Sequence, residues 1–203
     1  MLVNSASGKR VLFVMATEAE YGPHLKKLFI PLITGVGPVE GAVVLTAGLA
    51  GLKAQNQLPD IAVSLGSAGS KNLAQGEVYQ ATLVAYRDMD ASPIGFEKGR
   101  TPMLDLPIQV KLPLIIQGIK TATLSTGASV VSGAAYEAIS EDMVDMETFA
   151  HMRSCNYFNV PLVALRGISD GAEELQHYGS WADALPALDK HLANAVDLIL
   201  AQV

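Results

Sequence analysis

The chain has one cysteine, Cys155, among 203 residues. A lone thiol excludes a disulfide framework and a multi-cysteine zinc site; it implies no particular redox compartment but fits the cytosol, and a cytoplasmic location is the expectation. Charge is scarce too: 17% of the residues are Asp, Glu, Lys or Arg, and the formal net charge is −6. Tracking nucleic-acid phosphates needs a basic stripe, and no run of Lys and Arg forms one. No apolar run is both long enough and free enough of charge to span a bilayer. Neither a nucleic acid nor a membrane is therefore an expected partner. Residues 1–10 are polar, without the apolar centre of a secretory signal, and with Asn4-Ser5-Ala6-Ser7-Gly8 they read as a flexible N-terminal lead-in.

What is present is apolar. Half of the residues are hydrophobic, enough for a large core in a single domain over 11–203. Short runs rich in β-branched residues predict buried strands over 11–16, 61–65, 78–86, 121–125 and 160–168. Helical spacing predicts helices over 41–55 and from Glu147 to about Cys155. A last helix carries Leu185, Leu188, Leu192, Val196 and Ile199 on one face. The Pro/Gly-rich stretch 92–113 reads as a long functional loop. Strands alternating with helices imply an α/β protein, a three-layer α/β/α sandwich around a central mixed β-sheet.

Several motifs fail on inspection. Gly35-Val36-Gly37-Pro38-Val39-Glu40-Gly41 has one residue too many between its second and third glycines for a dinucleotide loop, and Asp60 precedes a strand instead of ending one. Pro38 opening a helix explains the segment. Glu147 and His151 stand one helical turn apart, but no second pair completes a metal set. Gly66-Ser67-Ala68-Gly69 is not a nucleophile elbow. No metal and no cofactor is expected. Tyr86, Phe96 and Trp181 are each able to stack a base, or simply to pack.

A pattern does emerge at the carboxyl ends of the strands, where open α/β sheets bind ligands. Glu18 and Glu20 follow the first strand, and Gly66-Ser67-Ala68-Gly69 follows the second. Val144-Asp145-Met146 leads into Glu147, and the strand over 160–168 ends in Ser169-Asp170. The bland reading of any one acid is a solvated first turn favoured by the helix dipole; three acids and a small-residue loop on separate strands are not so explained.

These residues together resemble the nucleoside phosphorylase/hydrolase superfamily, and within it the 5′-methylthioadenosine/S-adenosylhomocysteine nucleosidases. The resemblance is carried, in the family's order, by Ala16-Thr17-Glu18-Ala19-Glu20, Gly35-Val36-Gly37, Leu65-Gly66-Ser67-Ala68-Gly69, Arg87-Asp88-Met89-Asp90, Val144-Asp145-Met146-Glu147 and Arg166-Gly167-Ile168-Ser169-Asp170. It implies a nucleoside phosphorylase-like fold and a homodimer whose loops complete each other's pockets. It implies that Glu20 activates water, that Glu147 holds the ribose hydroxyls beside Asp145 and Met146, and that Asp170, next to Ser169, protonates the leaving base. By the same resemblance Ser67, Ala68 and Gly69 lie near the water and sugar, Thr17 lies near the sugar, and Val36 belongs to the substrate-binding set. Val130 and Val131 present backbone groups to the base, and Ile94, Phe96 and Pro102 meet the 5′ substituent. Three departures stand out: little more than a dozen residues separate Glu20 from Gly35, Thr17 replaces a usual methionine, and Val130 replaces the aromatic that commonly stacks on adenine.

The chemistry asks for the same residue types. N-glycosidic cleavage passes through an oxocarbenium-like sugar that a carboxylate stabilises, a second carboxylate orients water, and an acid neutralises the departing base. A phosphate nucleophile wants Arg, Lys or a bare glycine cradle, and 11–23 offers two glutamates and no cation. Hydrolysis of methylthioadenosine or adenosylhomocysteine is the first expectation. A phosphorylase, a hydrolase of another 6-aminopurine or futalosine-like nucleoside, and an idle nucleoside-binding protein are the alternatives.

Overall fold

In the computed structural model, which describes residues 2–171 and 177–203, the chain starts with a hairpin. Strand β1 (Leu2–Asn4) runs antiparallel to β2 (Arg10–Met15), pairing Leu2 with Leu12. The expectation of a flexible lead-in over 1–10 is corrected here for residues 2–10. Leu2 and Val3 pack on opposite apolar clusters, and the turn is tied to the far end of the chain by Ala6 N to Leu200 O at 2.8 Å and Ser7 Oγ to Val203 O at 2.7 Å. Polar composition misled because four anchors, not bulk hydrophobicity, hold this segment.

The central strands are buried on both faces, as parallel strands between helical layers must be. In β2, Val11, Phe13 and Met15 enter one cluster while Leu12 and Val14 enter the other. Two-residue β3 (Leu32–Ile33) pairs with β2, and helix α1 (Pro38–Ala54) follows, with Pro38 in its first turn. Strand β4 (Ile61–Gly69) pairs parallel to β2, and β5 (Val78–Tyr86) follows. The stretch 92–113 is not all loop: it holds a 3-10 turn at Ser92–Ile94 and the edge strand β6 (Gln109–Lys111), antiparallel to β5. Then come β7 (Lys120–Thr126), β8 (Met143–Asp145), helix α2 (Thr148–Tyr157) and β9 (Leu162–Asp170). The short α3 (Tyr178–Ala182) and long α4 (Leu185–Gln202) complete the described chain.

Two layers of helices enclose this mixed sheet. Leu45 and Leu49 of α1 and Phe149 and Met152 of α2 cover one face; Leu188, Leu192, Val196 and Ile199 of α4 cover the other. The pairing also closes on itself. β4 pairs with β9, β9 with β5, β5 with β7, β7 with β8, and β8 returns to β4 through the single pair Gly69–Val144. The expected α/β/α architecture is what is observed. Strands β4 and β9 both run on to the end of the candidate motifs, so Gly69 and Asp170 are strand residues opposite each other. No helix among the described residues is long and apolar enough to cross a membrane.

Candidate active site

The carboxyl ends of β2, β4, β8 and β9 surround a cavity of about 570 Å³, within the range usual for small-molecule sites. Glu20 reaches it from a 3-10 turn (Glu18–Glu20) directly after β2, capped by Thr17 Oγ1, which accepts from Ala19 N at 3.2 Å. Glu20 is buried, and its Oε1 accepts from Ser67 N at 2.7 Å and Ser67 Oγ at 2.6 Å. Burial pushes its pKa above the usual carboxylate range, opposed by the Ser67 hydrogen bonds and by Arg166.

Glu147 sits at the N-terminal boundary of α2, immediately after β8. Its Oε1 accepts from Gly37 N at 2.8 Å. Gly37 holds φ +99°, a conformation that glycine alone adopts cheaply, and that conformation is what the residue preceding α1 uses here. Burial first, and then the negative Asp145 nearby, push Glu147 up to about 7.

Asp170 ends β9 and lies at the cavity wall. Ser169 Oγ donates to its Oδ1 at 2.6 Å. Burial raises its pKa, while Ser169 and the neighbouring Tyr136 hydroxyl pull against that rise. Tyr136 is buried and its hydroxyl meets no partner at full hydrogen-bond geometry among the described residues. It is nonetheless a near neighbour of Asp170, because both lie against the bare Cα of Gly69. A methyl group at 69 would collide with the Tyr136 hydroxyl and stand 2.7 Å from Asp170 Oδ2.

Beneath the cavity floor runs a polar network centred on Asp145 and Arg166. Asp145 Oδ2 accepts from Arg166 Nε at 3.0 Å and Nη2 at 2.9 Å and from Thr148 N at 2.9 Å, and its Oδ1 accepts from Thr126 Oγ1 at 2.5 Å. Burial alone would raise the Asp145 pKa; Arg166 and the threonines override it and hold the carboxyl down. Asp145 is thus spent inward, on the network, although it borders the cavity. His151 gives one ring nitrogen to Ser64 Oγ at 2.9 Å and the other to Thr34 Oγ1 at 3.3 Å. Burial depresses its pKa to about 3, so the ring is neutral.

Thirteen of the sixteen sequence-derived site residues line this one cavity: the three acids with Thr17, Val36, Ser67, Ala68, Gly69, Val130, Val131, Asp145, Met146 and Ser169. Ile94, Phe96 and Pro102 do not, and Ile94 is largely exposed on the loop after β5. Tyr86 stacks on Phe149 at 5.1 Å and is no base platform. Arg87, His177, Tyr178 and Trp181 are lining residues that the motifs did not assign a role. Arg87 braces the loop after β7, donating from Nη1 to Ser125 O and Asp145 O at 2.6 and 2.9 Å and from Nη2 to Ser129 O at 2.6 Å. Only its place in Arg87-Asp88-Met89-Asp90 hinted at this.

A family model described as the phosphorylase superfamily matches residues 25–201. A 5′-methylthioadenosine/S-adenosylhomocysteine nucleosidase of Staphylococcus aureus strain MRSA252 is 31% identical over 155 residues, which are 68% of this chain and 66% of that protein. The chain thus spans just under two thirds of that relative's length. The nucleosidase of Actinobacillus succinogenes is 29% identical over 195 residues, 87% of this chain and 82% of that protein. Among solved structures, the Neisseria meningitidis nucleosidase in complex with methylthio-immucillin-A superposes with a TM-score of 0.78 at 21% identity, covering 95% of this chain and 99% of that one. A futalosine hydrolase mutant of Helicobacter pylori gives 0.73 at 19% identity over 92% and 98%. Their shared fold is the one described above.

Proposed function

The chain belongs to the phosphorylase superfamily, and from that premise we propose that it is a nucleosidase. It hydrolyses the N-glycosidic bond of 5′-methylthioadenosine or S-adenosylhomocysteine, releasing adenine and a thioribose. One observation carries the reading: Glu20, Glu147 and Asp170, from three different strand ends, line a single cavity. Glu20 orients the attacking water. Glu147 binds the ribose hydroxyls and favours the positive charge that develops on the sugar. Asp170, its pKa raised by burial, delivers a proton to N7 of the departing base.

Water is the nucleophile in this reading. Among the described residues Arg87 is the sole Lys or Arg lining the cavity, and its two terminal nitrogens donate to three main-chain carbonyls. A phosphate beside buried Glu20 would meet repulsion instead of a cradle. No cofactor or metal is required by these steps. The enzyme acts in the cytoplasm as a homodimer, a state supported by exposed Val39 and Val43 on α1, which continue from Val36 at the cavity rim.

A second reading keeps the carboxylates and changes the nucleoside to another 6-aminopurine, such as a futalosine-like compound. It is favoured by Val130, which leaves the base site without a stacking ring at that position. A nucleoside panel assayed with and without phosphate, with free base read by chromatography, decides between them. Free adenine from methylthioadenosine without phosphate is expected. Ribose 1-phosphate formed only with phosphate would establish a phosphorylase, and tight adenosine binding with no cleavage over hours would establish a binding protein.

A further inference from the structure

Trp181 is the chain's only tryptophan, and it stands in α3 with its side chain at the cavity wall. A ring there needs no explanation beyond packing, and it does meet Tyr178 edge-on at 5.2 Å. Its nitrogen does need one. Trp181 Nε1 donates to Ser67 Oγ at 2.8 Å, and Ser67 Oγ lies 2.6 Å from Glu20 Oε1. An indole N–H can only donate, and a hydroxyl has one proton. Ser67 therefore receives Trp181 on a lone pair and turns its single proton towards Glu20. Glu20 Oε1 then accepts twice, from the Ser67 hydroxyl and from the Ser67 amide at 2.7 Å. Glu20 Oε2 accepts no hydrogen bond from the described residues and lies against Gly66, where a Cβ would be 3.1 Å away.

We propose that Trp181 is a positioning residue for hydrolysis: by fixing the direction of the Ser67 hydroxyl it commits Glu20 Oε1 and leaves Oε2 as the oxygen that orients water. The inference rests on the nucleosidase reading for its chemistry, but its hydrogen-bond chain is independent of any substrate. A phenylalanine would fill the same wall without setting this chain. Other charged groups act on Glu20 as well: Arg166 from β9, Asp145 from β8 and Glu147 at the start of α2. Asp189 of α4, behind the turn, is committed to the amides of His24 and Leu25 at 2.8 and 3.0 Å.

Trp181→Phe keeps a ring and removes the donor. With methylthioadenosine, kcat is expected to fall about twofold to tenfold, the factor a net hydrogen bond is worth, with KM changed less than twofold. The acid limb of the kcat profile moves to higher pH, because a less supported carboxylate is protonated sooner as pH falls. The single indole N–H gives one cross-peak in a ¹⁵N-labelled sample without substrate. That peak should shift in Ser67→Ala and should lose a pH-dependent step in Glu20→Gln. An indole peak unmoved by Ser67→Ala, or a Trp181→Phe enzyme with wild-type kcat and pH profile, overturns the proposal. Absence of cleavage in the nucleoside panel would instead overturn the nucleosidase reading, and the indole measurement would still report on the hydrogen bonds.

Discussion

At the scale of single residues, an aspartate asked to donate a proton at neutral pH starts at a disadvantage. With an ordinary pKa, about one molecule in a thousand is protonated at pH 7. Burial raises Asp170 towards usefulness. Asp170→Asn keeps the shape and removes the acid, so adenine release should slow about 10²–10⁴-fold while circular dichroism stays native. Glu147 shows the cost of such burial. Its pKa rises from 4.5 to about 7, so the folded chain holds that proton more tightly than the unfolded one. The resulting stability is fully present below pH 4.5 and is lost as pH rises through about 7. Glu147→Gln should therefore raise Tm at pH 8, by about 2–4 °C for each kcal/mol relieved, and leave it unchanged at pH 4. A lower Tm at pH 8 would refute the assignment. Glu20 and Asp170 were legible in the sequence because each stands at the end of a recognisable strand, whereas Glu147 was legible only from its place after Val144-Asp145-Met146, its own strand being three residues long. Tyr136 and Arg87 were not, since they act on Asp170 and on main-chain carbonyls through contacts made only in the fold.

At the scale of elements, sequence patterns gave the strand cores and missed where strands stop. β4 was expected to end at Leu65, before its Gly-Ser-Ala-Gly run, yet it continues to Gly69. The reason is non-local: β9 lies alongside and pairs with it as far as Gly69–Asp170, with a register shift between Ala68 and Gly69. Such pairing outweighs the weak strand propensity of glycine. β1, β3, β6 and β8 have three residues or fewer, too short for any alternation to show. The glycines of β4 have a use as well. Gly69→Ala would drive a methyl into Tyr136 and towards Asp170. We expect at least a tenfold loss of kcat with cooperative thermal unfolding retained, because the acid is displaced while the strand persists. Wild-type kcat in that variant would show that Asp170 has slack to move.

At the scale of the whole molecule, the exposed valines of α1 make a claim about assembly. Val39 and Val43 are 69% and 60% exposed on a helix whose opposite side is core, apolar surface that a second copy would cover in the proposed dimer. Sedimentation should give twice the 21.4 kDa chain mass, and Val39→Glu with Val43→Glu should halve the sedimenting mass. A wild-type chain that sediments at 21.4 kDa at micromolar concentration would overturn the dimer. Ile94, Phe96 and Pro102 do not line the cavity; in the proposed dimer a 5′ contact from them would come from the partner copy.

The circular pairing of the sheet has a thermal and mechanical consequence. β4 and β9 are stitched along their length, but β8 meets β4 at one point, Gly69–Val144. That point is a seam. One residue beyond Val144 lies Asp145, then the segment carrying Glu147; across from Gly69 lies Asp170. A nucleoside gripped by Glu147 at its ribose and by Asp170 at its base would straddle the seam like a clasp. Amide hydrogens at 69 and 144 should then exchange fastest among the central strands of the empty protein, and slow most when the clasp is shut.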